Sequence, residues 1–80
     1  MQRVADPELA GLASAVRELR RGSGLTQEQL AHRAGLTTAS LARLERARTN
    51  PGWKTLRALA TALDVAVADI ADIAERDAGT

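Results

Sequence analysis

Eighty residues make one small domain, with no cysteine for a disulfide or a thiolate metal site and no apolar run long enough to span a membrane. Leu and Ala dominate, Trp53 is the only aromatic residue, and the strand-forming Val and Ile are scarce, so an all-α bundle is expected. The net charge of +1 hides an asymmetry: residues 17–57 carry net +6, residues 58–80 net −4 and residues 1–16 net −1, which points to one face for a polyanion and another for something else.

The first ten residues lack a basic segment followed by an apolar one, so no secretory signal is expected and the default location is the cytoplasm. Residues 1–5 are expected to be a flexible end. Asp6-Pro7-Glu8 then opens a helix: Asp6 caps, Pro7 suits the first helical position and Glu8 suits the positive end of the dipole. Leu9, Leu12, Val16 and Leu19 form its apolar stripe, and Gly22-Ser23-Gly24 stops it. Thr26 with Gln29 three residues on is a capping box that starts a second helix. Leu30, Ala31 and Ala34 face inward from it, and Gly35 ends it. Thr37 caps a third helix, with Leu41 and Leu44 facing the core.

Residues 47–52 (ARTNPG) form a turn-rich loop. A fourth helix is expected over residues 53–63, with Leu56, Leu59, Ala60 and Leu63 inward and Trp53 as a packing residue at its start. A fifth is expected over residues 67–75, followed by a fraying tail at 77–80. Val67, Ile70 and Ile73 on this last helix either complete the core or meet a second subunit, and they are the candidate dimer residues. The predicted architecture is a compact all-α bundle of five helices in a single domain, with its core over about residues 7–75.

The informative stretch is LTQEQLAHRAGLTTASLARLER, residues 25–46. Two helices of about eight residues meet at Gly35, which takes positive φ without steric cost. Ala31 lets the second helix approach closely, and Leu30, Leu36, Leu41 and Leu44 fill the angle between the two. This is the pattern of a helix-turn-helix, here over residues 27–46, in which the second helix enters the major groove of DNA.

At these residues the chain resembles the Xre or lambda-repressor-like helix-turn-helix family of phage repressors, Cro proteins and bacterial regulators. The resemblance runs over residues 16–70, through VRELRRGSGLTQEQLA, Gly35-Leu36-Thr37, Leu41-Ala42-Arg43-Leu44-Glu45-Arg46, Asn50-Pro51 and LRALATALDV. It implies double-stranded DNA as the partner and a homodimer on a two-fold site. Thr38, Ala39 and Arg43 take the base-reading positions. Gln27, Thr37, Ser40, Arg46, Arg48, Asn50 and Lys54 take DNA-backbone positions. Arg20 and Glu45 match an ion pair tying the first helix to the third. The side chains agree with several of these roles: Arg43 can bond bidentately to guanine, while Arg46, Arg48 and Lys54 can neutralise phosphates without reading a base.

Three positions depart from the family pattern. Ala47 and Asp64 stand where glycine is usual, and alanine disfavours the left-handed conformation, so the third helix is expected to run on or end differently. Ala66 replaces a capping serine, which predicts a weak start to the fifth helix.

No cofactor, metal or small-molecule ligand is implied. His32 stands alone and is read as an exposed or capping side chain. The acidic residues pair with no nucleophile, metal set or glycine-rich phosphate loop, so an enzyme is not expected. The expected function is sequence-specific regulation of transcription on a pseudo-palindromic operator. The rivals are an antitoxin-like or restriction-modification controller role, and a protein-interaction module in which the acidic fifth helix and Trp53 meet a protein partner.

Overall fold

The computed structural model describes residues 6–79; the expected flexible end at residues 1–5 lies outside them. Among the described residues there are five helices and no strand: α1 Pro7–Gly22, α2 Gln27–Ala34, α3 Thr38–Glu45, α4 Trp53–Leu63 and α5 Val67–Ala78. Their starts follow the local chemistry. The Asp6 carboxylate accepts from the Glu8 amide at 2.8 Å at the head of α1. Thr26 and Gln29 exchange both bonds of a capping box at α2, and Thr37 accepts from the Ser40 amide at α3.

The first four helices end alike. Past each, one residue turns left-handed: Gly24 (φ 72°), Gly35 (φ 71°), Ala47 (φ 57°) and Asp64 (φ 58°). In each case the next amide reaches back over the last turn: Leu25 to the Arg20 carbonyl, Leu36 to Ala31, Arg48 to Arg43 and Val65 to Ala60, at 2.8–3.1 Å. These are Schellman terminations, which satisfy the carbonyls a helix end leaves open. Ala47 therefore does not let α3 run on. It adopts the glycine geometry despite its Cβ, because the reach-back bonds on either side over-determine it. Asp64 does the same with less strain, since aspartate tolerates the left-handed region. At α5 the Ala66 side chain offers no cap, but Asp69 accepts from the Ala66 amide at 2.9 Å, which supplies half of a capping box.

The core is purely aliphatic. Val16, Leu30, Leu41, Leu59 and Ile70 are fully buried, with Ala15, Ala31, Leu44, Ala60 and Leu63 around them. The α1 stripe is broader than the leucine spacing indicates. Gly11, Ala13 and Ala15 are buried too, because α5 covers a second face of α1 in the most extensive helix pair of the fold. At Gly11 the backbones touch: a Cβ there would collide with the Ala74 carbonyl and come within 2.9 Å of the Ala78 Cβ.

This seam also corrects the end of α5. The helix runs to Ala78 instead of stopping near residue 75, so residues 77 and 78 are helical. Ser14 donates to Asp77 at 2.8 Å, and Arg76 pairs with Glu18 at 2.9 Å.

Candidate nucleic-acid interface

The two helices of the motif are set at their angle by small residues on the inside. Ala31 is buried where α3 crosses α2, and Gly35 reverses the chain. Leu30, Leu41 and Leu44 close the wedge, with Leu36 partly buried beside them. With Leu41 and Leu44 turned inward, Thr38, Ala39 and Arg43 are left exposed on the outer side of α3.

The hydroxyls at the head of α3 are already engaged. Thr37 accepts from the Ser40 amide and donates its own proton to the Ser40 oxygen at 2.9 Å. Arg43 reaches the same oxygen at 3.4 Å, a long contact that leaves most of its guanidinium donors available. Ser40 thus accepts from Thr37 and keeps its own hydroxyl proton to donate, whereas Thr37 acts as a cap.

Behind the exposed face lies a buried charge. Glu45 is 3% exposed and receives two bonds from Arg20, at 2.7 and 3.0 Å, and one from the Gln27 amide at 3.0 Å. Arg20 also donates to the Leu25 carbonyl, and Arg17 donates to the Glu45 carbonyl at 2.6 Å, capping the end of α3. One carboxylate therefore fastens α1, the head of α2 and the tail of α3 together. Burial pushes the Glu45 carboxyl up, but the bonds from Arg20 and Gln27, with the charges of Arg20 and Arg17, outweigh it and hold the group below the ordinary carboxylate range.

Gln27 is thus anchored at one amide hydrogen, leaving its other hydrogen and its oxygen for a partner. Arg17 was not singled out by sequence reasoning. Its spacing of three from Arg20, on the same side of α1, was the available signal.

Arg46, Arg48, Asn50 and Lys54 are all exposed after α3. Gly52 provides no side-chain cap to α4, so Lys54 sits in a first turn whose amides have no side-chain partner. Of the nine basic residues in the basic middle, Arg20 is paired with the Glu45 carboxylate, and Arg17 spends one donor on the Glu45 carbonyl.

Two expectations are overturned here. Trp53 is not a packing residue: it is 64% exposed. It stands at the first position of α4, at the edge of the stripe that Leu56, Leu59 and Leu63 turn toward the core, before the next turn of helix can cover it. Ile70 is not a dimer residue, because it is 0% exposed within the single chain, and Val67 and Ile73 are half-buried against the same core. The small core needs their apolar surface. His32 is exposed on α2.

Comparison with known proteins agrees with this geometry. The family model described as Helix-turn-helix domain matches residues 12–73. The chain is 44% identical over 55 residues to the immunity repressor protein of Bacillus phage phi105, covering 69% of this chain and 38% of the repressor. It is 39% identical over 59 residues to the HTH-type transcriptional regulator DdrOP3 of Deinococcus deserti, covering 74% and 46% respectively. The chain thus spans less than half the length of these two relatives. Among solved structures, the restriction-modification controller protein C.AhdI from Aeromonas hydrophila superposes with a TM-score of 0.76 at 35% identity, covering 78% of this chain and 94% of that one. With capped helices meeting at Gly35, an outward face on α3 and a family match over residues 12–73, the chain belongs to the helix-turn-helix domain family, in its lambda-repressor-like branch.

Proposed function

We propose that this chain is a sequence-specific regulator of transcription that binds a pseudo-palindromic operator in double-stranded DNA as a homodimer. The observation that carries the reading is the two-sidedness of α3. Leu41 and Leu44 are buried, while Thr38, Ala39 and Arg43 are exposed and flanked by the exposed cations Arg46, Arg48 and Lys54. Arg43 would read guanine through O6 and N7, a contact that discriminates by about 1–3 kcal/mol. The Ala39 methyl would meet a thymine methyl or nothing, and Thr38 is compatible with several bases.

Gln27, Ser40 and Asn50, with the cations, would hold the phosphates, and Thr37 would contribute mainly by capping α3. Arg20 and Glu45 would hold the frame and touch no DNA. The reading needs no cofactor, no metal and no catalytic residue, and it places the protein in the cytoplasm on the nucleoid. A restriction-modification controller is the second reading, favoured by the 35% identity to C.AhdI across 94% of that chain.

The test is selection of bound duplexes from a random pool at physiological salt, where non-specific binding is already weak. Enrichment of a two-fold motif is the expected result. A folded protein that enriches nothing, and shows no salt-dependent binding to any duplex, would refute the reading in favour of a protein-interaction module.

A further inference from the structure

The two acidic ends of the sequence meet in space. A depression of about 540 Å³ opens between α1, α5 and the loop that leads into α4. Leu9 and Leu12 of α1, Leu56 of α4 and the buried Ile70 make its floor. The three leucines are only half-buried there. Ala71, Ala74 and Ala78 form the α5 wall, spaced by three and four along one face. Ala74 and Ala78 are held small by the close approach of Gly11. Ala71 is exposed, and its methyl leaves open the space that a leucine at this position would fill.

The rim carries one sign of charge. Asp6, Glu8 and Glu75 stand around the mouth, and no lining residue is a cation. Asp6 spends its carboxylate on capping α1, but Glu8 and Glu75 form no ion pair among the described residues. An apolar floor with a few polar groups at the mouth is the make-up of a small-molecule site, and such sites span about 300–1,000 Å³.

We infer that this depression is a binding site for a small amphipathic cation, an ammonium or guanidinium group carried on an apolar body. The body displaces water from the half-buried leucines. The cation meets Glu8 and Glu75, and the Asn50 side-chain carbonyl at the edge accepts a remaining N–H. Other occupants fit less well. A second copy placed here by a two-fold axis would set acid against acid, and the same carboxylates repel nucleic acid. The charge asymmetry of the sequence thus has a use at both signs. The site stands apart from the regulator reading, because no duplex takes part in it.

The experiment titrates the isotopically labelled 80-residue protein with n-octylammonium chloride and follows the backbone amides by NMR. Octanoate, n-octanol and spermidine serve as controls. The expected shifts are confined to residues 8–12, 50 and 70–78. Octylammonium should bind at least about tenfold more tightly than octanoate, whose charge the rim repels. It should also bind more tightly than n-octanol, which lacks the charge, and than spermidine, which lacks the apolar body. The double variant Glu8→Gln/Glu75→Gln should reduce the preference over octanoate to about threefold or less. Ala71→Leu should keep its helical circular dichroism and weaken octylammonium at least about tenfold by filling the depression.

Octanoate bound as tightly as octylammonium, shifts spread over the whole surface, or binding that survives Ala71→Leu unchanged would each overturn the assignment. A wild type that binds nothing up to about 10 mM would do the same. Binding that appears only after residues 1–5 are removed would also overturn it, by making the chain's own first residues the occupant.

Discussion

Arg43 and Lys54 carry the same charge and differ in what they can tell apart. Arg43 is exposed on α3 with a planar fork of donors, whereas Lys54 presents a point charge at the head of α4. Arg43→Ala is expected to lower affinity for the selected sequence by about 1–3 kcal/mol and to leave non-specific binding nearly unchanged. Lys54→Ala should weaken every duplex alike and reduce the salt slope by about one. Titrations of both variants against specific and scrambled duplexes check this, and equal losses on both DNAs would remove Arg43 from base reading.

Glu45 acts on stability instead. Its folded pKa lies below the unfolded value of about 4.3, so its contribution is complete above that value and is lost as pH falls through the folded one. Glu45→Gln leaves Arg20 with half a partner in a mostly buried site and should cost about 3 kcal/mol at neutral pH, a large share of the total of about 4–12 kcal/mol for a domain of this size. Urea denaturation from pH 7 to pH 3 should show the variant losing less stability with acid than the wild type; parallel curves would mean the carboxylate is not the titrating group.

At the scale of elements, the left-handed helix ends and the α1–α5 seam make opposite demands on glycine. Ala47 holds a φ of 57°, where its Cβ is penalised by roughly 1–2 kcal/mol. Ala47→Gly is therefore expected to raise stability by about 1 kcal/mol after the flexibility it adds to the unfolded chain, measured as an upward shift in thermal midpoint. Gly11 presents the converse. Removing a glycine from a helix gains about 1 kcal/mol, but a methyl at Gly11 meets a backbone carbonyl that cannot move aside. Gly11→Ala should destabilise by about 1–2 kcal/mol net, whereas Gly22→Ala, with nothing near its Cβ, should stabilise. Melting curves that rank the two the other way would show that α5 shifts freely on α1.

The same contrast explains what could be read from the chain itself. Caps at Asp6, Thr26 and Thr37 and the turn at Gly35 depend on neighbours within a few residues, so the starts of the first three helices and the outward face of α3 were legible, and the leucine spacing placed the fourth and the start of the fifth. The length of α5 was not, because it depends on Ser14 meeting Asp77, 63 residues away. Trp53 was misassigned for a related reason: an aromatic at a helix start looks like core until the direction of the leucine stripe on α4 is known.

For the whole molecule, the last turn of α5 is where local opening is expected to start, since it closes the chain and lies beyond the fully buried Ile70. Its Arg76–Glu18 pair is half-exposed and contributes little, while Val16, Leu30 and Leu59 lie at the centre of the core. Native-state hydrogen exchange should find the amides of residues 73–78 exchanging through local opening and those of Val16, Leu30 and Leu59 only through global unfolding. Uniform protection across α5 would contradict this. The seam also orders events in time. Synthesis proceeds from the N-terminus, so the ribosome completes α2 and α3 while α5 is still unmade, and the glycine–alanine side of α1 stays uncovered until the twelve residues of α5 emerge. The pair α2 and α3 is made before its seal, and a chain stalled or clipped ahead of Val67 carries that pair on an open core.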